Sequence, residues 1–207
     1  MKLMLPILAA ALLGLAGCSS LRTATETAPP CCRQSVPTSA PTDKSLYQLE
    51  SVWTSDVGRA VNLGVLRGRP QVMALFFSHC EFACPILVHD MKRIEAALPP
   101  EWNGKVDFLL VSIDTERDTP SELHAYRARQ ELPLKNWTLL TGKPDDVREL
   151  AALLGVNYQR DSRGQFSHSN VITVLNSDGE IVHQLVGLNQ PVAEVVKALT
   201  SSSTPAP

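Results

Sequence analysis

An apolar run from Val72 to Phe77 ends a few residues short of Cys80 and Cys84, and Pro85 follows at once. The run is β-branched and aromatic enough for a central buried strand. Proline suits the first turn of a helix, because its fixed φ is helical and its missing N–H has no partner there anyway. The sequence therefore delivers two sulfurs between the end of a buried strand and the start of a helix. The helix dipole and free N–H groups at that place favour thiolate over thiol. The pair alone leaves open whether the sulfurs exchange disulfides or hold a metal.

The whole chain narrows the setting. Its 207 residues suffice for one ordinary domain plus accessory segments. A composition of 44% hydrophobic and 19% charged residues is globular, and a net charge of -2 gives no basic excess for nucleic acid. Five cysteines are too few for a disulfide scaffold, and their odd number means that at least one has another fate.

The N-terminus supplies that fate. Lys2 precedes an apolar run, Leu3 to Leu15, that is shorter than the roughly 20 residues a spanning helix needs. It reads as a secretory signal. Leu15-Ala16-Gly17-Cys18 resembles the lipobox of bacterial lipoproteins. The resemblance implies cleavage after residue 17, a lipid on Cys18, and a mature protein anchored in the bacterial cell envelope and facing the periplasm. Thiols there are not kept reduced by cytosolic systems, so a working dithiol needs a reductant or a metal.

Residues 18–44 are rich in Ser, Thr, Ala and Pro and predict a flexible tether. Within it, Cys31 and Cys32 are either an auxiliary metal or thiol trap or an incidental vicinal pair, since adjacent cysteines do not meet normal disulfide geometry without distortion. The folded domain is expected over residues 45–200, with a disordered tail at 201–207.

Inside the domain, Tyr47–Trp53 and Ala60–Leu66 predict an N-terminal strand pair, and Gln71–Phe77 the first core strand. Pro85–Leu98 has helical spacing, Val106–Ile113 is a second buried strand, and Thr119 caps a helix from Pro120 to about Gln130. A strand at Trp137–Leu140 and a helix at Asp145–Leu154 follow. A hairpin of Asn170–Leu175 and Glu180–Val186 turns at Asn176–Gly179, and a last helix covers Val192–Leu199. This order predicts an α/β fold, a central mixed sheet flanked by helices with an N-terminal β-hairpin extension. With a dithiol after the first core strand, the pattern is thioredoxin-like.

Two details then bear on the chemistry. Three residues separate the cysteines, where a redox thioredoxin has two. The proline that such oxidoreductases place before the last hairpin is missing, and Ser167-His168-Ser169 stand there instead. His168 facing Cys80 and Cys84 completes a Cys₂His set that suits Cu(I), Cu(II) or zinc. His79 is an alternative ligand, although neighbouring residues at a strand end point in different directions. His89, His124 and His183 read as packing or surface residues, and Trp53, Trp102 and Trp137 as packing. Asp114 and Asp118 either orient the site or a partner, or cap and brace their own loop. The rival reading is a thiol–disulfide oxidoreductase in which Cys80 or Cys84 attacks and no metal is obligatory. A peroxidase is weaker, because no Thr-x-x-Cys precedes Cys80.

Three separated motifs resemble the Sco/SenC/PrrC family of copper-binding proteins: Cys80 to Pro85 after Phe77-Ser78-His79, the run Asp114-Thr115-Glu116-Arg117-Asp118-Thr119, and His168 ahead of a hairpin carrying Asp178-Gly179. The similarity covers about Tyr47 to Leu199. It implies a membrane-anchored copper chaperone for the dinuclear copper site of cytochrome c oxidase. That protein would deliver copper, reduce the receiving cysteines, or both. The implied partners are the copper-receiving oxidase subunit, a periplasmic copper donor and a thioredoxin-like reductant. Two positions depart from the family pattern. Phe82 stands where an acidic residue is usual, and Thr115 where proline is usual.

Overall fold

The computed structural model describes residues 40–162 and 164–201. The expectations for the signal, Cys18, Cys31, Cys32 and the terminal tail fall outside the described residues, apart from Ser201, which closes the last helix.

Among the described residues nine strands and four α-helices follow one another. The strands are β1 (Val52–Ser55), β2 (Ala60–Asn62), β3 (Gln71–Phe76), β4 (Asp107–Ser112), β5 (Trp137–Thr141), β6 (Tyr158–Arg160), β7 (Phe166–His168), β8 (Val171–Leu175) and β9 (Ile181–Val186). The helices are α1 (Ala83–Ala97), α2 (Pro120–Arg129), α3 (Pro144–Leu153) and α4 (Ala193–Ser201). Seven strands form one sheet in the order β2-β1-β5-β4-β3-β8-β9. Its middle, β5-β4-β3, is parallel, and the flanking pairs are antiparallel. This is the mixed, helix-flanked sheet that the sequence predicts, and the fold is thioredoxin-like.

Every residue of β3 is buried, as are five of the six in β4. Such strands are covered on both faces, which is why they read as continuous apolar runs. Trp53, Trp102 and Trp137 all belong to the core, and Trp137 stacks on Phe108 at 4.8 Å between ring centroids.

Three boundaries differ from the sequence reading. Leu46–Gln48 is a 3₁₀ turn rather than the start of a strand, because the Ser45 hydroxyl accepts the Tyr47 N–H and caps it. Leu63–Leu66 is likewise a 3₁₀ turn, capped by the Asn62 side chain through the Gly64 N–H. Contacts with the domain already begin at Thr42, inside the stretch read as tether: its hydroxyl donates to Glu180. Gly179 is needed beside it, since its φ is +82° and a Cβ would lie 2.5 Å from the Tyr47 ring.

The elements around the site are braced by buried charges. Arg127 of α2 reaches the turn after β1, where its Nε and Nη2 donate to the two Asp56 carboxylate oxygens at 2.6 and 2.9 Å. It also donates to the carbonyls of Leu132, Pro133 and Trp137. Asp90, fully buried in α1, accepts from Arg93 and from the Asn189 N–H, which ties α1 to the β9–α4 connection. Among the described residues no helix is long and apolar enough to cross a membrane.

Candidate metal centre

Three connections meet at one end of the sheet. The cysteine loop leaves the C-terminal end of β3, and the loop of Asp114 to Thr119 leaves the C-terminal end of its parallel neighbour β4. β8 runs antiparallel to β3, so its N-terminal end lies there too, with His168 three residues before it. The ends of parallel strands are where open α/β sheets place their chemistry.

Cys84 lies inside the first turn of α1, which begins at Ala83, two residues before the expected start at Pro85. The reason is Cys80. Phe82 at the helix N-cap offers no side-chain bond, and the Cys80 sulfur accepts the Cys84 N–H at 3.3 Å in its place. Sulfur thus takes over the capping role that oxygen fills in most helices. A hydrogen bond from the Cys84 thiol, helped by the N–H groups of Cys84, Phe82 and Ala83 and opposed by burial, lowers the Cys80 thiol to about 5. Cys84 moves the other way: its hydrogen bond to Cys80 and its burial push the thiol up. The pair is thus one half-buried thiolate and one buried proton carrier.

Iodoacetamide is therefore expected to alkylate Cys80 at a rate that rises with pH about a midpoint near 5 and is level through neutrality. Cys84, with no exposed surface, lags far behind. A midpoint near the ordinary thiol value of 8.5 would contradict this arrangement.

His168 ends β7 and brings Nε2 to 3.7 Å from the Cys84 sulfur. Its Nδ1 lies 3.0 Å from the Ser169 carbonyl oxygen. A carbonyl only accepts, so Nδ1 carries the proton, and in the neutral ring Nε2 keeps its lone pair toward the sulfur. Orientation of an imidazole by a carbonyl at its other nitrogen is typical of metal-binding histidine. Phe77 packs edge-on to the ring at 6.1 Å. Cys84 thus stands between Cys80 and His168, touching each, and two sulfurs with one imidazole nitrogen are a soft donor set of the kind that suits copper or zinc.

His79 does not join them. Its Nδ1 lies 3.0 Å from the Ser78 hydroxyl and 3.5 Å from Asp118, which places it in a neighbouring cluster. His89 and His124 are exposed and His183 is half-buried. Asp118 is buried and accepts from the Ser78 N–H at 2.9 Å, the Ser78 hydroxyl at 2.5 Å and the Ser112 hydroxyl at 2.5 Å. It pins the loop two residues ahead of Cys80. Asp114 is held by Arg117 and accepts its backbone N–H. Ligand atoms of His79, Asp114 and Asp118 lie within 4.8 Å of one another, and both carboxylates accept from protein donors, Asp114 from Arg117 and Asp118 from Ser78 and Ser112. Both aspartates thus brace the site, and Ser78, Ser112 and the ribbon β6–β7 are parts of it that the sequence reading missed.

A family model described as SCO1/SenC matches residues 40–203. The chain belongs to the SCO1/SenC family. Among its relatives, a Stutzerimonas stutzeri protein named for copper binding is 26% identical over 145 residues, 68% of this chain and 69% of that one. Two solved structures share the fold of this SCO1/SenC protein. One is a SCO1/SenC family lipoprotein from Bacillus anthracis, with 22% identity and a TM-score of 0.68 over 78% of this chain and 96% of that chain. The other is Bradyrhizobium japonicum ScoI with copper bound, with 22% identity and a TM-score of 0.62 over 73% and 96%.

Proposed function

We propose that this SCO1/SenC protein is a copper chaperone that holds copper between Cys80, Cys84 and His168. It would pass the ion to the dinuclear copper site of cytochrome c oxidase while anchored through a lipid on Cys18 and facing the periplasm. The observation that carries the reading is the His168 Nε2 lone pair, 3.7 Å from the buried Cys84 sulfur, beside a Cys80 held as thiolate. A Cys80 thiolate, a Cys84 sulfur that gives up its proton on binding, and a neutral imidazole match soft copper better than hard cations. The copper-bound relative and the copper-named relative support the same cargo. The lipobox at Cys18 supports the anchor.

Transfer proceeds by ligand exchange with a partner's thiols and imidazoles, so the protein binds and hands over rather than turning over a substrate. The low Cys80 value favours a second, compatible activity. Cys80 thiolate attacks a disulfide in the receiving subunit, forming a mixed disulfide and freeing one partner thiolate. Cys84 then gives up its proton, attacks Cys80, and releases the second partner thiolate. The partner gains the two electrons that the Cys80–Cys84 pair loses.

His168→Ala separates the two. Copper affinity of the reduced chain is expected to fall by about 10- to 100-fold or more, at least what loss of an outer-sphere partner costs a metal site. Disulfide reduction should stay near the wild-type rate. Equal copper affinity in wild type and His168→Ala would refute the three-ligand reading.

A further inference from the structure

His168 rides on a ribbon of two three-residue strands, β6 and β7, that is not paired with the seven-stranded sheet. An isolated strand pair is marginal in water, so whatever fixes His168 must come from outside the ribbon. Two of the contacts that reach it come from the single loop between β4 and α2. Arg117 points its Nε at the buried Asp114 carboxylate and donates from Nη2 to the Gly164 carbonyl, at the ribbon's turn, at 2.8 Å. Glu116 accepts from Arg160 of β6 at 2.6 Å, and that guanidinium also lies 5.7 Å from the Phe166 ring centroid. Phe166 in turn packs against Phe77 at 5.4 Å. One residue further along the loop, Asp118 holds Ser78 ahead of Cys80. A single short loop thus grips the dithiol strand end and the histidine ribbon together.

We propose that Arg117 is a positioning residue that sets the His168 imidazole opposite Cys80 and Cys84 by forking between Asp114 and the Gly164 carbonyl. The proposal rests on the Cys₂His reading above. Arginine is required because its planar guanidinium aims two N–H groups in fixed directions, one at each partner. Lysine carries the charge but is a point donor without that fork. The ribbon is the part of the site with the least support of its own, so losing the fork loosens His168 first. The cysteine pair, held by α1 and by Asp118, stays in place.

The test uses the full chain and the variant Arg117→Lys, alone and combined with His168→Ala. In the metal-free reduced protein, amide hydrogen exchange at Ser169, whose N–H bonds the Asn157 carbonyl at 2.9 Å, is expected to speed up at least about 10-fold in Arg117→Lys, with β3 and α1 unchanged. Ribbon exchange within about 2-fold of wild type would overturn the proposal. If Arg117→Lys also releases β3, the copper affinities decide instead.

Copper affinity gives the second readout. Arg117→Lys should lose about 10-fold in the wild-type background and less than about 2-fold beside His168→Ala, because the residue acts through His168 alone. An equal loss in both backgrounds would overturn the positioning role. If His168→Ala alone binds copper as wild type does, the ligand reading fails, and the exchange rates alone support or overturn the fork.

Discussion

Cys80→Ser is expected to lower Cu(I) affinity by more than about 100-fold, beyond the range that loss of an outer-sphere partner produces. In the proposed site the substitution removes one of two soft donors and the only one already ionised at neutral pH. A serine hydroxyl stays protonated there and is a poor ligand for Cu(I). It still accepts the Cys84 N–H, so the cap on α1 survives and the fold with it. Competition with a chromophoric Cu(I) chelator under anaerobic conditions measures the loss, and the far-UV spectrum should match wild type. The same variant loses disulfide reduction, because the attacking thiolate has gone. Near-normal copper binding in Cys80→Ser would move the site away from the cysteine pair.

The largest stability change is expected from Asp56→Ala. Asp56 and Arg127 are both buried, and their bidentate pair links the β1 turn, α2 and the start of β5. Removing one partner strands the other charge in the core, which costs about 3–5 kcal/mol. Urea unfolding at pH 7 measures it. The pH dependence has a definite sign. Burial would raise the Asp56 carboxyl, but the Arg127 hydrogen bonds and charge override it and hold the folded value below the ordinary one. A depressed folded value gives stability that is present above the unfolded value, about 3.9, and lost as pH falls through the folded one. The gap between wild type and Asp56→Ala is therefore level above about pH 5 and narrows below about pH 4. A gap that widens on acidification would contradict the pairing.

Much of this molecule is legible in the chain because its central strands carry continuous apolar runs and its helices carry clear stops. Val72–Phe77 and Val106–Ile113 could hardly be anything but buried strands, and the cysteine pair follows from the first of them. His168 is legible from its place before the last hairpin. The ribbon that holds it is not, since Tyr158–Arg160 and Phe166–His168 are three residues each and too short to show a period. The available signal was the turn-forming run from Asp161 to Gly164 between them.

The Asp118 bonds to Ser78 and Ser112 were not readable either. The first spans 40 residues and exists only because β3 and β4 pair in parallel with Phe76 opposite Ser112, and the second, 6 residues long, depends on how the loop after β4 turns back on its strand. At Leu46–Gln48 the alternation of Tyr47 and Leu49 suggested a strand, but the Ser45 cap decided for a 3₁₀ turn. Proline at position 85 signalled a helix start two residues late, because sulfur supplied a cap that sequence rules assign to oxygen.

The most direct measurement is X-ray absorption at the copper edge of the reduced chain loaded with one equivalent of Cu(I). The proposed Cys80, Cys84 and His168 centre predicts two sulfur scatterers and one imidazole nitrogen, with the nitrogen signal lost in His168→Ala. A first shell of nitrogen and oxygen alone, or one unchanged by His168→Ala, would contradict it.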